Sequence, residues 1–265
     1  MTSAQIIATL VLLSPLTAAP AFAQEAVVPG SQASVYWDKD DFKASQNVLK
    51  KEHGGGTNYM ILADRFEYQS GEGSPALLLE GQGWWGTDEN QLWIKSEIDY
   101  DLDTSSFEEA ELQALWSRPI ARYFDVQAGL RHDFEPGPSR TYAVAGIQGL
   151  APYWFEVDVA VFLSEEGDLS ARVEAEYEFL LTQRLILQPR TELNFAAQDI
   201  PELETGAGLS TAELGLRLRY EFDRQFAPYI GVNWKASSGE TADYARARGD
   251  DTETLSFVTG IRLWF

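Results

Sequence analysis

Carboxylates recur at alternate positions through the charged segments of this 265-residue chain, at Glu97, Asp99, Glu111, Asp133, Glu156, Asp158, Glu174 and Glu176. Brought together, such hard oxygen donors attract divalent cations by charge, with little preference for one metal over another. A mixed donor set lies at His132, which is followed by Asp133 and Glu135; imidazole with carboxylate suits a divalent transition metal. Met60 offers a thioether, although packing is the simpler role for it. Against all of these stands internal neutralisation. Lys95, Arg131, Arg172, Arg190, Arg217, Arg219 and Arg262 share the same segments, and pairing with them would close an interior and set strand register without holding a metal. If the surplus of acid survives that pairing, the enclosed space attracts cations. Signals for catalysis are poor: no G-x-S-x-G motif occurs, His132 has no evident serine partner, and Gly54-Gly55-Gly56 lacks the Lys and Ser or Thr of a phosphate cradle. A non-enzymatic protein is expected.

The elements that must position these groups are strands. From Leu92 to Leu102, Leu92, Ile94, Ile98, Tyr100 and Leu102 share one face with Ser96, while Lys95, Glu97, Asp99 and Asp101 take the other. A helix cannot segregate residues with that period. Leu169 to Phe179 places Leu169, Ala171, Val173, Ala175, Tyr177 and Phe179 opposite Arg172, Glu174, Glu176 and Glu178. Ala212 to Phe222 places Leu214, Leu216, Leu218, Tyr220 and Phe222 opposite Glu213, Arg217, Arg219 and Glu221. Weaker alternation covers Asn58 to Tyr68, Leu77 to Trp85, Glu109 to Trp116, Phe124 to Phe134, Tyr142 to Leu150, Trp154 to Leu163, Leu185 to Phe195, Phe226 to Lys235 and Leu255 to Phe265. The pattern predicts about twelve strands, an even number that returns the chain to its starting side, as in an up-and-down antiparallel barrel of the outer membrane. Parity puts His132 with Val126, Ala128, Leu130 and Phe134 on the apolar face, away from the carboxylates, unless a bulge turns it inward.

The breaks between strands fall into two classes. Ser117 to Tyr123, Ala151 to Tyr153, Leu181 to Arg184 and Asp223 to Gln225 read as short periplasmic turns, and the connections between them, including Ala196 to Ser210 and Ala236 to Thr254, as outward-facing loops. Trp84, Trp85, Trp116, Tyr123, Phe124, Tyr153, Trp154, Phe222, Phe226, Trp264 and Phe265 cluster beside the short turns, where an interfacial aromatic girdle belongs. A soluble barrel or sandwich would turn the apolar faces onto a common core instead. The charged opposite faces and the girdle argue for lipid.

The chain begins with an apolar run from Ile6 to Leu16 and a small-x-small site at Ala21-Phe22-Ala23, which predicts a signal peptide over residues 1–23. No Lys or Arg precedes that run, and a buried first helix is the alternative. Residues 24–56 are polar, with a short helix expected between Asp40 and Lys51, and read as a flexible periplasmic segment before a barrel over 57–265. Acidic residues outnumber basic ones by 41 to 20, and the formal charge of −21 excludes nucleic acid as a partner. Cysteine is absent, so thiolate metal sites and disulfides are excluded.

Several stretches carry a specific resemblance: EGQGWWG from Glu80, LWIKSE from Leu92, LQALWSRPIARYFDVQAGLRHDF from Leu112, GIQGLAPYWFEVD from Gly146, EAEYEFLLTQRLILQPR from Glu174, GLRLRYEFDRQFAPYIGV from Gly215 and the closing GIRLWF. Together they resemble the outer-membrane copper resistance protein B family over nearly all of the chain from Thr57. The resemblance implies a barrel in the outer membrane of a Gram-negative bacterium, with both ends in the periplasm. It implies binding of copper ions for sequestration or export, with outer-membrane lipid and a periplasmic copper-handling protein as partners. Family members often carry a Met- and His-rich segment before the barrel. Here the whole chain holds two Met and two His, so any metal binding must reside in the barrel. The alternatives are a small pore without metal specificity and a closed barrel that anchors a partner.

Overall fold

In a computed structural model of the chain, residues 38–53 and 56–265 are described. The expected signal peptide lies outside them. Helix α1 (Lys39–His53) forms where a short helix was expected; the Asp38 carboxylate accepts a hydrogen bond from the Asp40 amide at 2.8 Å, and Asp40 and Asp41 place negative charge in the first turn. The helix lies in a unit separate from the strands.

From Asn58 the chain is almost continuous strand. In order run β1 (Asn58–Gly71), β2 (Ala76–Gly86), β3 (Gln91–Asp101), β4 (Ser106–Ala121), β5 (Phe124–Glu135), β6 (Arg140–Ala151), β7 (Phe155–Ser164), β8 (Leu169–Glu176), β9 (Phe179–Leu180), β10 (Leu185–Ala196), β11 (Gly208–Tyr220), β12 (Phe226–Ser237), helix α2 (Gly239–Arg248) and β13 (Glu253–Trp264). Neighbours pair antiparallel throughout, and β13 returns to β1, closing the sheet. Both β8 and β9 pair with β10 in one continuous register, so they form a single interrupted stave and the barrel has twelve. The expected strand from Leu169 to Phe179 breaks where Tyr177 meets Pro189. The Tyr177 amide donates to the Pro189 carbonyl at 3.1 Å, but proline has no N–H to return the second bond of the pair.

The apolar faces look outward. Ile61, Leu112, Leu130, Leu163, Leu214, Ile230 and Phe257 are all exposed on the outer wall, whereas Arg65, Glu67, Glu111, Arg172, Arg190, Arg217 and Arg219 are buried within it. That distribution is the reverse of a soluble sandwich and matches a wall facing hydrocarbon. No helix among the described residues is long and apolar enough to cross a membrane.

Three local departures from the sequence reading have physical causes. The stretch expected to turn from Ser117 stays in β4 as far as Ala121, with Pro119 accommodated beside a bulge at the strand end, so the turn is Arg122-Tyr123 alone. In β1, Asp64 and Arg65 together oppose one residue of β13. This bulge directs both charged side chains inward and explains the weak alternation from Asn58 to Tyr68. Trp84, expected in the girdle, packs inside with Ala160 against a luminal apolar cluster of Trp93, Leu115, Tyr142, Val144 and Phe162; Trp85 is the one facing out.

One end of the barrel carries the short turns and both Asn58 and Phe265; the other carries the longest connections, residues 197–207 and 238–252, the second of which folds into α2. The luminal cluster requires β4 and β5 to approach closely at Gly129, where a Cβ would run into the Ala114 carbonyl oxygen and lie 2.8 Å from Leu115 Cα. Gly129→Ala is therefore expected to lower stability by about 1–3 kcal/mol, read as a shifted urea midpoint in detergent micelles. Gly56→Ala, with open space around it, should leave the midpoint unchanged.

Candidate cation site in the barrel lumen

Strand register lines up the luminal carboxylates in two arcs. On β2 to β5, Glu80, Glu97, Glu111 and Asp133 lie directly opposite one another from strand to strand. On the far wall, Asp158, Glu174, Glu192 and Glu213 do the same across β7, β8, β10 and β11, and the arc ends on Lys235 of β12. Like charges directly opposite destabilise a sheet, more so out of water, so the arcs persist only if cations reach them.

Four arginines reach them, largely across the lumen. Arg65 pairs with Glu80 and lies 3.2 Å from both Glu97 and Glu213. Arg172 joins β8 to the opposite wall, at 3.1 Å from Glu111 and 3.4 Å from Glu97 and Glu109. Arg190 sits 2.8 Å from Glu174, 3.2 Å from Glu192 and 3.6 Å from Glu80. Arg131 holds Glu111 at 2.7 Å and Asp133 at 2.6 Å. The guanidinium groups of Arg131 and Arg172 also lie over the Phe162 ring, at 4.8 and 6.0 Å, so the apolar cluster is the floor on which the charges are laid. Further pairs extend the lattice: Arg217 with Glu67 at 2.5 Å, Arg219 with Glu178 at 2.5 Å, Arg262 with Asp64 at 2.8 Å and Glu178 at 2.9 Å, and Lys95 with Asp158. The pairing expected for the seven basic residues is present, and Arg65 joins them through the β1 bulge.

At the end with the long connections, Arg140 pairs with Asp168 and Glu202. A hydrogen bond from Gln198 and the Arg140 guanidinium hold the Asp168 carboxyl below the usual aspartate range.

The expected metal ligands separate into classes once these pairs are drawn. Glu97 and Glu111, with Glu109, bring ligand atoms within 4.8 Å of one another, but Arg172 touches all three and already supplies a cation. Glu109 escaped sequence reading because it stands at the start of a weakly alternating strand. Asp133, Asp158 and Glu174 are each held by a basic partner. Asp99 is half-buried with one oxygen shielded from water and without a hydrogen bond. His132 lies on the outer face, where Nδ1 is 2.9 Å from the Thr141 hydroxyl and the ring meets Phe134 edge-on at 4.6 Å, apart from the luminal carboxylates. Met60 points inward opposite Trp84.

Glu156 and Glu176 differ from the rest. They face each other directly across β7 and β8, and neither has an ion-pair or hydrogen-bond partner among the described residues. Both line a cavity of about 860 Å³ at the short-turn end, together with Asp64, Glu178, Met60 and Arg262.

Residues 57–265 match the family model described as copper resistance protein B precursor. The chain belongs to the copper resistance protein B family. It is 45% identical over 213 residues to the copper resistance protein B homolog of Pseudomonas syringae pv. tomato, covering 80% of this chain and 72% of that protein. It is 42% identical over 213 residues to copper resistance protein B of Escherichia coli, covering 80% and 71%. Among solved structures the NanC porin superposes with a TM-score of 0.50 at 11% identity, over 78% of this chain and 99% of that one, a likeness of fold alone. Family and fold together place the protein in the outer membrane and tie it to copper resistance.

The Arg217 and Glu67 pair, almost wholly out of water, tests the lattice. Glu67→Leu alone is expected to cost about 3–5 kcal/mol by stranding the guanidinium, and the double variant Glu67→Leu with Arg217→Met to recover most of that loss, both measured as chemical unfolding of the refolded barrel.

Proposed function

We propose that the barrel binds copper ions in the cavity at its short-turn end, at Glu156 and Glu176, and that this binding is its contribution to copper resistance. The observation that carries the reading is the direct opposition of two carboxylates without a basic partner, in a lumen where nearly every other acid has one. Opposed like charges weaken a sheet, and a cation between them removes the repulsion. Asp64 and Glu178 border the same space and share Arg262. Oxygen donors favour copper(II) over copper(I), and Met60 is the soft donor within reach of the cavity. Glu97, Asp99, Glu111, Asp133, Asp158 and Glu174 are read as supporting charge around the site, and His132 as a residue of the outer wall.

Orientation follows from the aromatic residues. Tyr123, Tyr153, Trp154, Phe222 and Phe265 are exposed around the short-turn end, in keeping with a girdle at the periplasmic interface. In that orientation both chain ends lie in the periplasm, the signal peptide over residues 1–23 delivers the chain there, and residues 24–56 stay on that side, beside any copper-handling partner. The cavity then opens toward the compartment from which copper must be cleared, and sequestration needs no catalytic step.

Calorimetric titration of the refolded protein with copper(II) tests the assignment. Saturable binding is expected, weakened at least tenfold in Glu156→Gln with Glu176→Gln, while Glu135→Gln at the far end leaves it intact. Unchanged affinity in the double variant would remove these residues from the site, and no saturable binding in the parent would favour an acidic barrel without metal specificity.

A further inference from the structure

The lattice also bears on what can pass through the barrel. Arg65 of β1, Glu111 of β4, Arg172 of β8, Arg190 of β10 and Arg217 of β11 stand all around the wall, and each is shielded from water to more than nine-tenths. A continuous aqueous channel running past them would leave some of these side chains wet. The pairs also join strands that are not neighbours, as Arg172 joins β8 to β3 and β4, and Arg190 joins β10 to β2. Beside these bridges the apolar cluster around Phe162 packs into the lumen, and the gap left among its side chains and Arg172 is only about 30 Å³. The cavity runs from the short-turn mouth as far as Glu97, Glu111, Arg172 and Arg190; Glu109, Asp133 and Glu192 do not line it. At the opposite end Ala242 and Ala245 of α2 are buried, and the Gly206 amide donates to the Thr241 hydroxyl at 2.9 Å, so the two long connections pack on each other beside β11 and β12.

We infer that the paired charges form a septum across the middle of the barrel, so that the cavity at the short-turn end is a cup with no path through it. Small ions that enter the cup leave by the same mouth and do not cross. An ion driven through the septum would have to shed its water and separate pairs that, once broken, strand charge in a dry interior. This inference stands apart from the copper assignment: a barrel closed at mid-height need not bind copper, and a copper-binding barrel need not be closed.

Conductance in planar lipid bilayers in potassium chloride tests it. The parent protein is expected to give no steady open state. Glu97→Ser with Arg172→Ser removes one acid and one base, leaves the net charge unchanged and cuts a bridge, and is expected to raise the current at least tenfold; heat-modifiable electrophoretic mobility reports whether that variant folds. A steady open state in the parent, or an equally silent variant that has folded, would overturn the septum. Should the double variant not fold, sidedness decides. The chain has no cysteine, so Gln148→Cys, which lines the cavity, gives a single thiol. In oriented vesicles a membrane-impermeant thiol reagent should modify it from the short-turn face only, and modification from both faces would contradict a closed barrel.

Discussion

A side chain that carries charge in a membrane-spanning strand has nowhere to go but inward, and once inward it must find its opposite. Those two requirements organise the whole barrel. Alternation sends Leu214, Leu216 and Leu218 to the lipid and Arg217 and Arg219 to the interior; the narrowness of a twelve-stave barrel then brings the wall of β8 within a side chain's length of β3 and β4. Arg172, Arg65 and Arg190 each touch several carboxylates because strand register stacks acids opposite acids. No single pair neutralises an arc, so the arginines are shared.

Sharing of this kind fixes more than charge. A guanidinium that satisfies acids on two walls specifies how those walls are rotated relative to one another, and the bulge at Asp64 and Arg65 exists in a place where it adds two such contacts, one toward Arg262 and one toward Glu80, Glu97 and Glu213. The interior thereby separates into a packed region, held by pairing and the Phe162 cluster, and an open region toward the short turns where pairing is incomplete. Glu156 and Glu176 lie in the second.

Much of this was legible in the residues. Strand parity alone assigned Glu97, Glu174 and Arg217 to the lumen and His132 to the outer wall, because a period of two has only one alternative, and the count of strands followed from the number of alternating segments. The closing pattern of short and long connections was readable for the same reason. What parity could not reach were features that depend on a third dimension. Arg65 was hidden by a one-residue bulge, Trp84 was read into the girdle without knowing that part of the lumen is apolar, and the broken stave at Pro189 required knowing which tyrosine stood opposite. Helix α2 sat within a segment legible only as a long connection. Above all, sequence could list the acids and the bases but not which acid lacked a base, since Arg172 meets Glu97 and Glu111 across the barrel and not along the chain. The distinction between Glu174, held by Arg190, and Glu176, two residues later and unpaired, is a property of the folded wall.

The account rests on the luminal charges being paired directly, and carbon–nitrogen distance measurements by solid-state NMR on the protein in lipid bilayers, with labelled arginine guanidinium and glutamate carboxyl groups, probe that contact without altering a residue. The result predicted is direct contact for Glu67 with Arg217 and for Glu111 with Arg172, with the Glu176 carboxyl making no direct contact with a guanidinium. Carboxyl carbons uniformly remote from guanidinium nitrogens, with the chemical shifts of freely hydrated groups, would contradict it.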